Sequence, residues 1–219
     1  MATRQVLADL ASAYEQQTGV SVAITSVGGV DAVKRLQAGE VFEVVFLAAE
    51  TVDKLITSGH VRSGGRVELV RSPVAVAVRA GAPVPDIASE DAVRQAVLAA
   101  PSISFSTGPS GVFLSQLLAR WGIAEQIAPR LVLAPPGVPV GSLVARGDVA
   151  LGLQQLSELM NLPGVTVVGT LPSAIACITT FSAGQGLACA QPDAVRAMLA
   201  FMTSPASSAA IRRHGMETA

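Results

Sequence analysis

Apolar positions recur with a helical period over residues 3–17, where Val6, Leu7, Leu10, Ala13 and Tyr14 share one face and Gly19 closes the run. Residues 21–26 then read as a strand, 30–38 as a helix ended by Gly39, 41–48 as a short buried strand, and 50–57 as a helix stopped by Ser58 and Gly59. This alternation predicts a parallel sheet with helices on its faces. The period changes next: residues 66–79 carry Val67, Leu69, Val70, Val74, Val76 and Val78 in an extended run interrupted by Pro73, and a Gly/Pro-rich stretch over 81–85 breaks it. From Ser89 the alternation resumes, with helices over 89–99, 112–121, 141–146 and 156–160 and strands near Ile103 and over 131–133, 149–153 and 165–168. Residues 175–181 read as a second extended crossing. Helices over 193–202 and 206–214 finish the chain, with Ser204 as cap of the last.

Two extended crossings between two alternating halves predict an α/β fold of two lobes, each a mostly parallel sheet flanked by helices. Lobe one takes residues 1–79 plus 175–219, and lobe two takes 80–174. Ligands of such sheets bind at the C-terminal strand ends, so the expected site is a cleft there, with the crossings as hinges.

Composition narrows the classes. Of 219 residues half are apolar and 14% charged, with a formal net charge of −1, which gives nucleic acid no basic face to bind. No apolar run reaches the roughly 18 residues that a membrane span needs, so no membrane insertion is expected. Cys177 and Cys189 have no metal-ligand spacing and read as small buried hydrophobes, with a disulfide open to them only in an oxidising compartment. His60 and His214 lie far apart without acidic or thiol companions, so neither a metal nor another cofactor is expected. Met1 runs directly into the first helix, without the charged start and apolar core of a signal peptide.

The chemistry concentrates at two helix starts. Residues 102–111 read as a buried strand, a tight turn and a helix start, with Ser106 and Thr107 in the turn, Gly108 and Gly111 permitting close approach, and Ser110 as the helix cap. The free N–H groups and positive dipole end of such a start hold an anion without any charged side chain. Residues 24–29 repeat the logic with Ser26, Gly28 and Gly29 before the second helix.

Several short motifs run in one order along the chain: Leu10-Ala11-Ser12-Ala13-Tyr14-Glu15 with Thr18-Gly19, Gln37-Ala38-Gly39-Glu40-Val41-Phe42-Glu43-Val44, Asp53-Lys54-Leu55 with Ser58-Gly59, Gly108-Pro109-Ser110-Gly111, and Ala145-Arg146-Gly147-Asp148-Val149-Ala150-Leu151-Gly152. In these the chain resembles the type II periplasmic solute-binding proteins, in the branch of molybdate-binding components of ABC importers. The resemblance implies an oxyanion held by hydroxyls and amides at helix starts, matched here by Ala2, Gly28-Gly29, Ser110-Gly111 and Gln155. That branch usually has serine at the positions of Ala2 and Gly28 and often tyrosine at that of Gln155. Thr3 and Arg4 at the first helix start, Gly141 at another, and Gln154 and Gln155 supply a guanidinium, amides and a further helix start instead, a set that suits a small organic acid. Being adjacent, the two glutamines face opposite ways, so at most one enters the site.

The resemblance therefore implies a monomeric protein holding a small anion, a di- or tricarboxylate, for ABC-type import through a permease. Aconitate isomerase is similar to these binding proteins, so a cis/trans isomerase is the enzymatic alternative, with Glu50 and Glu158 as its acid and base; a molybdate binder is the second alternative. The family places a strand before its first helix. The resemblance thus implies a periplasmic protein from which an N-terminal strand and export signal have been lost, or otherwise a cytoplasmic one.

Overall fold

The computed structural model describes residues 2–135 and 137–219. In chain order the elements are α1 (Arg4–Thr18), α2 (Gly29–Gln37), β1 (Val44–Ala48), α3 (Ala49–Thr57), β2 (Val61–Arg79), α4 (Glu90–Ala99), β3 (Ile103–Ser106), α5 (Pro109–Arg120) and α6 (Ala124–Ile127). Then follow β4 (Leu131–Ala134), α7 (Val140–Arg146), β5 (Leu151–Gln155), α8 (Leu156–Leu159), β6 (Val165–Thr170), β7 (Ile178–Gly186), α9 (Pro192–Met202), α10 (Ser208–Arg213) and β8 (Glu217–Thr218). The chain is an α/β protein with helix-flanked sheets of mixed pairing. Its contacts divide it into two compact units, Met1–Ser72 with Thr180–Ala219, and Pro73–Thr179. The divisions fall inside β2 and β7, where the sequence reading sets lobe boundaries at 79/80 and 174/175.

In the first unit β1 pairs antiparallel with β7, from Val44 opposite Gln185 to Ala48 opposite Phe181, and Val70 and Arg71 of β2 pair with β8. The predicted face of α1 is the buried one except at Ala13, which is exposed while Ala11 is buried: Val6, Leu7, Leu10, Ala11 and Tyr14 pack with Leu69, Val70, Met198, Leu199 and Ile211. Tyr14 meets the Phe201 ring at 5.5 Å between centroids. Gly19 ends α1 at φ 72, a conformation that a side chain would strain.

In the second unit β3 lies between β4 and β5, parallel to both, and β2 lies between β5 and β6, antiparallel to both. Val74, Val76, Val78, Leu151, Leu153, Ile103 and Phe105 face α4 and α5 and form one core with Val93, Val97, Leu114 and Leu117. The alternate residues Ala75 and Ala77 face the other way, against Leu159. That period of two decides which face each polar residue of β5 occupies.

Several expectations need correcting. Residues 21–26 form no strand. Their neighbourhood spends its hydrogen bonds on side chains, the Val20 N–H on Thr18 Oγ1 at 3.2 Å and the Val22 N–H on the Glu15 carboxylate, and Val20 and Ile24 stay exposed. Pro73 does not interrupt β2, because it sits between the part paired with β8 and the part paired with β5, where a missing N–H breaks no ladder bond. The predicted strand 149–153 lies two residues later in the structure, so Gln154 and Gln155 belong to the strand itself. Ser204 precedes a short 3-10 turn without a side-chain cap bond. Among the described residues, no helix is long and apolar enough to cross a membrane. Met1 and Pro136 lie outside the described residues.

Candidate functional site

The second unit builds its candidate site where β3 runs into α5. The strand delivers Ser106 at its end, and Gly108 is extended, with φ −76 and ψ −171, before Pro109 fixes the first helical residue. The first helical bond runs from the Val112 N–H to Gly108 O at 3.1 Å. The earlier N–H groups of Ser110 and Gly111 therefore have no carbonyl four residues back, and no side chain caps the helix. Ser110 is inside the helix and buried, so it is not the cap; Gly108, held extended ahead of a proline, takes that position. Gly111 is required by packing: a Cβ there would lie 1.6 Å from the Ser106 carbonyl oxygen. Ser106 is half-buried and Thr107 exposed at the mouth of the turn.

On β5 the two glutamines part as alternation demands. Gln154 is on the face of Ala75 and accepts the Gly141 N–H through Oε1 at 3.3 Å. It therefore fastens the start of α7 to the sheet, and Gly141 has spent its N–H. Burial pushes the Glu158 carboxyl above the usual carboxylate range. Gln155 is on the opposite face, that of Leu153 and Phe105, against which α5 packs. Its Nε2 donates to Thr179 Oγ1 at 2.7 Å, and its Oε1 is buried with no partner among the described residues. The sequence reading has no place for Thr179, since nothing local ties it to a residue so far back in the chain.

In the first unit Thr3 is buried at the start of α1, also without a side-chain cap bond, and Arg4 is exposed. Ser26 is exposed on the segment before α2; Gly28 precedes that helix and Gly29 is its first residue. Asp31 stands in the first turn of α2, and a Cβ on Gly28 would lie 3.4 Å from its Oδ2. The chain thus brings its own carboxylate to this helix start, a signal readable in the sequence as an acid two residues past the glycines. Glu50 is exposed in the first turn of α3, on a shallow surface concavity shared with Asp53, Lys54, Thr57 and Ser58.

Both cysteines are free. Cys177 packs beside the second unit's core, and burial pushes its thiol up to about 11. Cys189 departs from the apolar reading: its thiol donates to Glu43 Oε2 at 2.8 Å, and with the Gln191 N–H it holds that carboxyl below the usual range. Among the described residues, no three His, Cys, Asp or Glu side chains gather as a metal cluster.

An uncapped helix start at a strand end offers free N–H groups to an anion. The chain belongs to the family described as bacterial extracellular solute-binding protein, whose model matches residues 1–217. It is 37% identical over 215 residues to an aconitate isomerase from Pseudomonas sp, covering 95% of this chain and 82% of that one. Among solved structures it is similar to the periplasmic molybdate-binding protein of Azotobacter vinelandii, with a TM-score of 0.80 at 22% identity over 98% of this chain and 95% of that one. It is also similar to Campylobacter jejuni PEB3 bound to L-phospholactate, with a TM-score of 0.77 at 14% identity over 99% of this chain and 96% of that one.

Proposed function

We propose that this solute-binding protein takes up a small organic di- or tricarboxylate, in the periplasm, for an ABC-type permease. The observation that carries the reading is the start of α5, where the Ser110 and Gly111 N–H groups have no side-chain cap and no acidic residue in the first turn, beside Ser106 and Thr107. A carboxylate gains charge-assisted hydrogen bonds from such amides. L-phospholactate, bound in the PEB3 structure, and aconitate, on which the aconitate isomerase acts, are both organic acids. Calorimetric titration with citrate, cis-aconitate, trans-aconitate, succinate and molybdate tests the reading. At least one carboxylate should bind and raise the melting temperature, a ligand at a hundred times its Kd adding about 2.7 kcal/mol. Molybdate binding with no carboxylate response would overturn it.

A second reading is an isomerase acting on aconitate, favoured by the 37% identity over nearly the whole chain. The reaction removes a proton from the methylene next to the double bond, shifts the electron pair through the allylic system, and returns a proton at the other carbon. No atom is gained or lost. Burial favours the protonated form of Glu158, but that residue stands on the Gln154 side of β5, opposite the face that carries Gln155, so it does not serve as the proton-returning group for a substrate held at the α5 start. Incubation of cis-aconitate in deuterated water, followed by NMR, checks it: trans product with deuterium at the protonated carbon supports the isomerase, and unchanged substrate removes it while leaving binding intact.

A further inference from the structure

Gln155 is 4% exposed, and its two amide ends have unlike fates. The nitrogen is spent on Thr179 Oγ1 at 2.7 Å. The oxygen is buried with no donor among the described residues. A buried carbonyl oxygen without a donor costs about 1–3 kcal/mol.

Its place in the sheet says what could fill that need. Leu153 of β5 is level with Phe105 of β3, and the two strands run parallel. Gln155 therefore sits one step beyond Leu153, on the face that α5 covers, at the end of the sheet where β3 passes into the start of α5. The amides of that helix start and the orphaned oxygen of Gln155 are thus at the same end of the same sheet face. The first asks for an anion and the second asks for a hydrogen-bond donor.

We propose that the ligand carries both: a carboxylate for the start of α5 and a hydroxyl that donates to Gln155 Oε1, making it a hydroxycarboxylate. This rests on the carboxylate reading above and narrows it. Molybdate and fully ionised aconitate offer acceptors alone, so either would face the orphaned oxygen with more negative charge. Citrate and malate bring the missing donor. Gln155 then acts as a selector, with the nitrogen end of its amide held on Thr179 Oγ1.

The test uses ligand pairs differing by one hydroxyl, titrated calorimetrically into the intact protein. Citrate is set against tricarballylate, and malate against succinate. The expected result is that the hydroxylated member of the pair that binds is tighter by about tenfold or more, the scale of one buried unsatisfied acceptor. Gln155→Leu, which has no acceptor, should bring the two members of that pair within about twofold. Equal affinities in the wild-type protein, or tighter binding of tricarballylate or succinate, would overturn the selector while leaving the carboxylate reading in place. Binding of molybdate with none of the four acids would overturn both. The wild-type pairs decide the matter even if the Gln155 variant fails to fold.

Discussion

The starts of α5 and α2 look alike in sequence, each a serine-bearing stretch with paired glycines before a helix, and the structure makes them different objects. The α5 start is fed by a strand held on both sides, between β4 and β5, so the backbone entering the turn has one fixed path. The α2 start is fed by a segment with no ladder partner among the described residues. The α5 start has no acidic residue in its first turn, whereas α2 has Asp31 in its own. An anion site made of backbone needs more than glycines and a helix. It needs a rigid approach and no competing carboxylate from the chain itself.

The largest expected effect separates the two starts by one methyl group. Gly111→Ala puts a Cβ 1.6 Å from Ser106 O, which only backbone displacement can relieve. It should abolish carboxylate binding and destabilise the second unit by about 3 kcal/mol or more. Gly28→Ala, at φ −61, meets nothing closer than Asp31 Oδ2 at 3.4 Å. It should cost less than about 1 kcal/mol and leave binding at α5 unchanged. Urea unfolding and titration of both variants check the contrast, and equal damage would break it.

A middle effect concerns the reverse face of β5. Gln154→Leu leaves the Gly141 N–H without its acceptor and should cost about 1–3 kcal/mol in urea unfolding, while the Gln155 face stays intact. Glu158 behind it supplies a pH signature. Its folded pKa is raised by burial, so the folded protein keeps a proton that the unfolded chain has already lost. Stability therefore falls as pH rises from the ordinary value of 4.5 through the raised one, and levels off beyond it. Glu158→Gln should unfold at a higher temperature than the wild type at neutral pH, with the gain vanishing below the ordinary value. A gain of the same size at all pH values would show that Glu158 ionises in the folded state as it does in water.

What the sequence made legible follows from how local each feature is. The face of α1, the ends of α3 and α4, and the strand–turn–helix at 103–120 depend on period and punctuation within a few residues, and all of them form. The strand expected over 21–26 fails for a non-local reason, since a strand exists through its neighbour and this segment has none among the described residues. The site divides the same way. The Ser106–Gly111 turn was readable, but the partners that give Gln154 and Gln155 opposite roles, Gly141 and Thr179, are assigned by the sheet and not by spacing.

The smallest expected effect bears most directly on the comparison. Asp31→Asn removes the carboxylate from the α2 start and keeps the side chain's shape, so the helix loses about 0.3–1 kcal/mol of favourable charge–dipole interaction. The same change leaves the Gly29 and Val30 N–H groups without a nearby anion from the chain. If the native carboxylate is what keeps this start from taking up an external anion, the variant should gain a weak second site for sulfate. Chemical shifts of the Gly29 and Val30 amides, followed in a sulfate titration of wild type and variant, read this out. Movement in the variant alone supports the contrast between the two starts. Movement of equal size in both proteins would mean that Asp31 does not guard α2, and that the rigid strand feeding α5 is the whole of the difference.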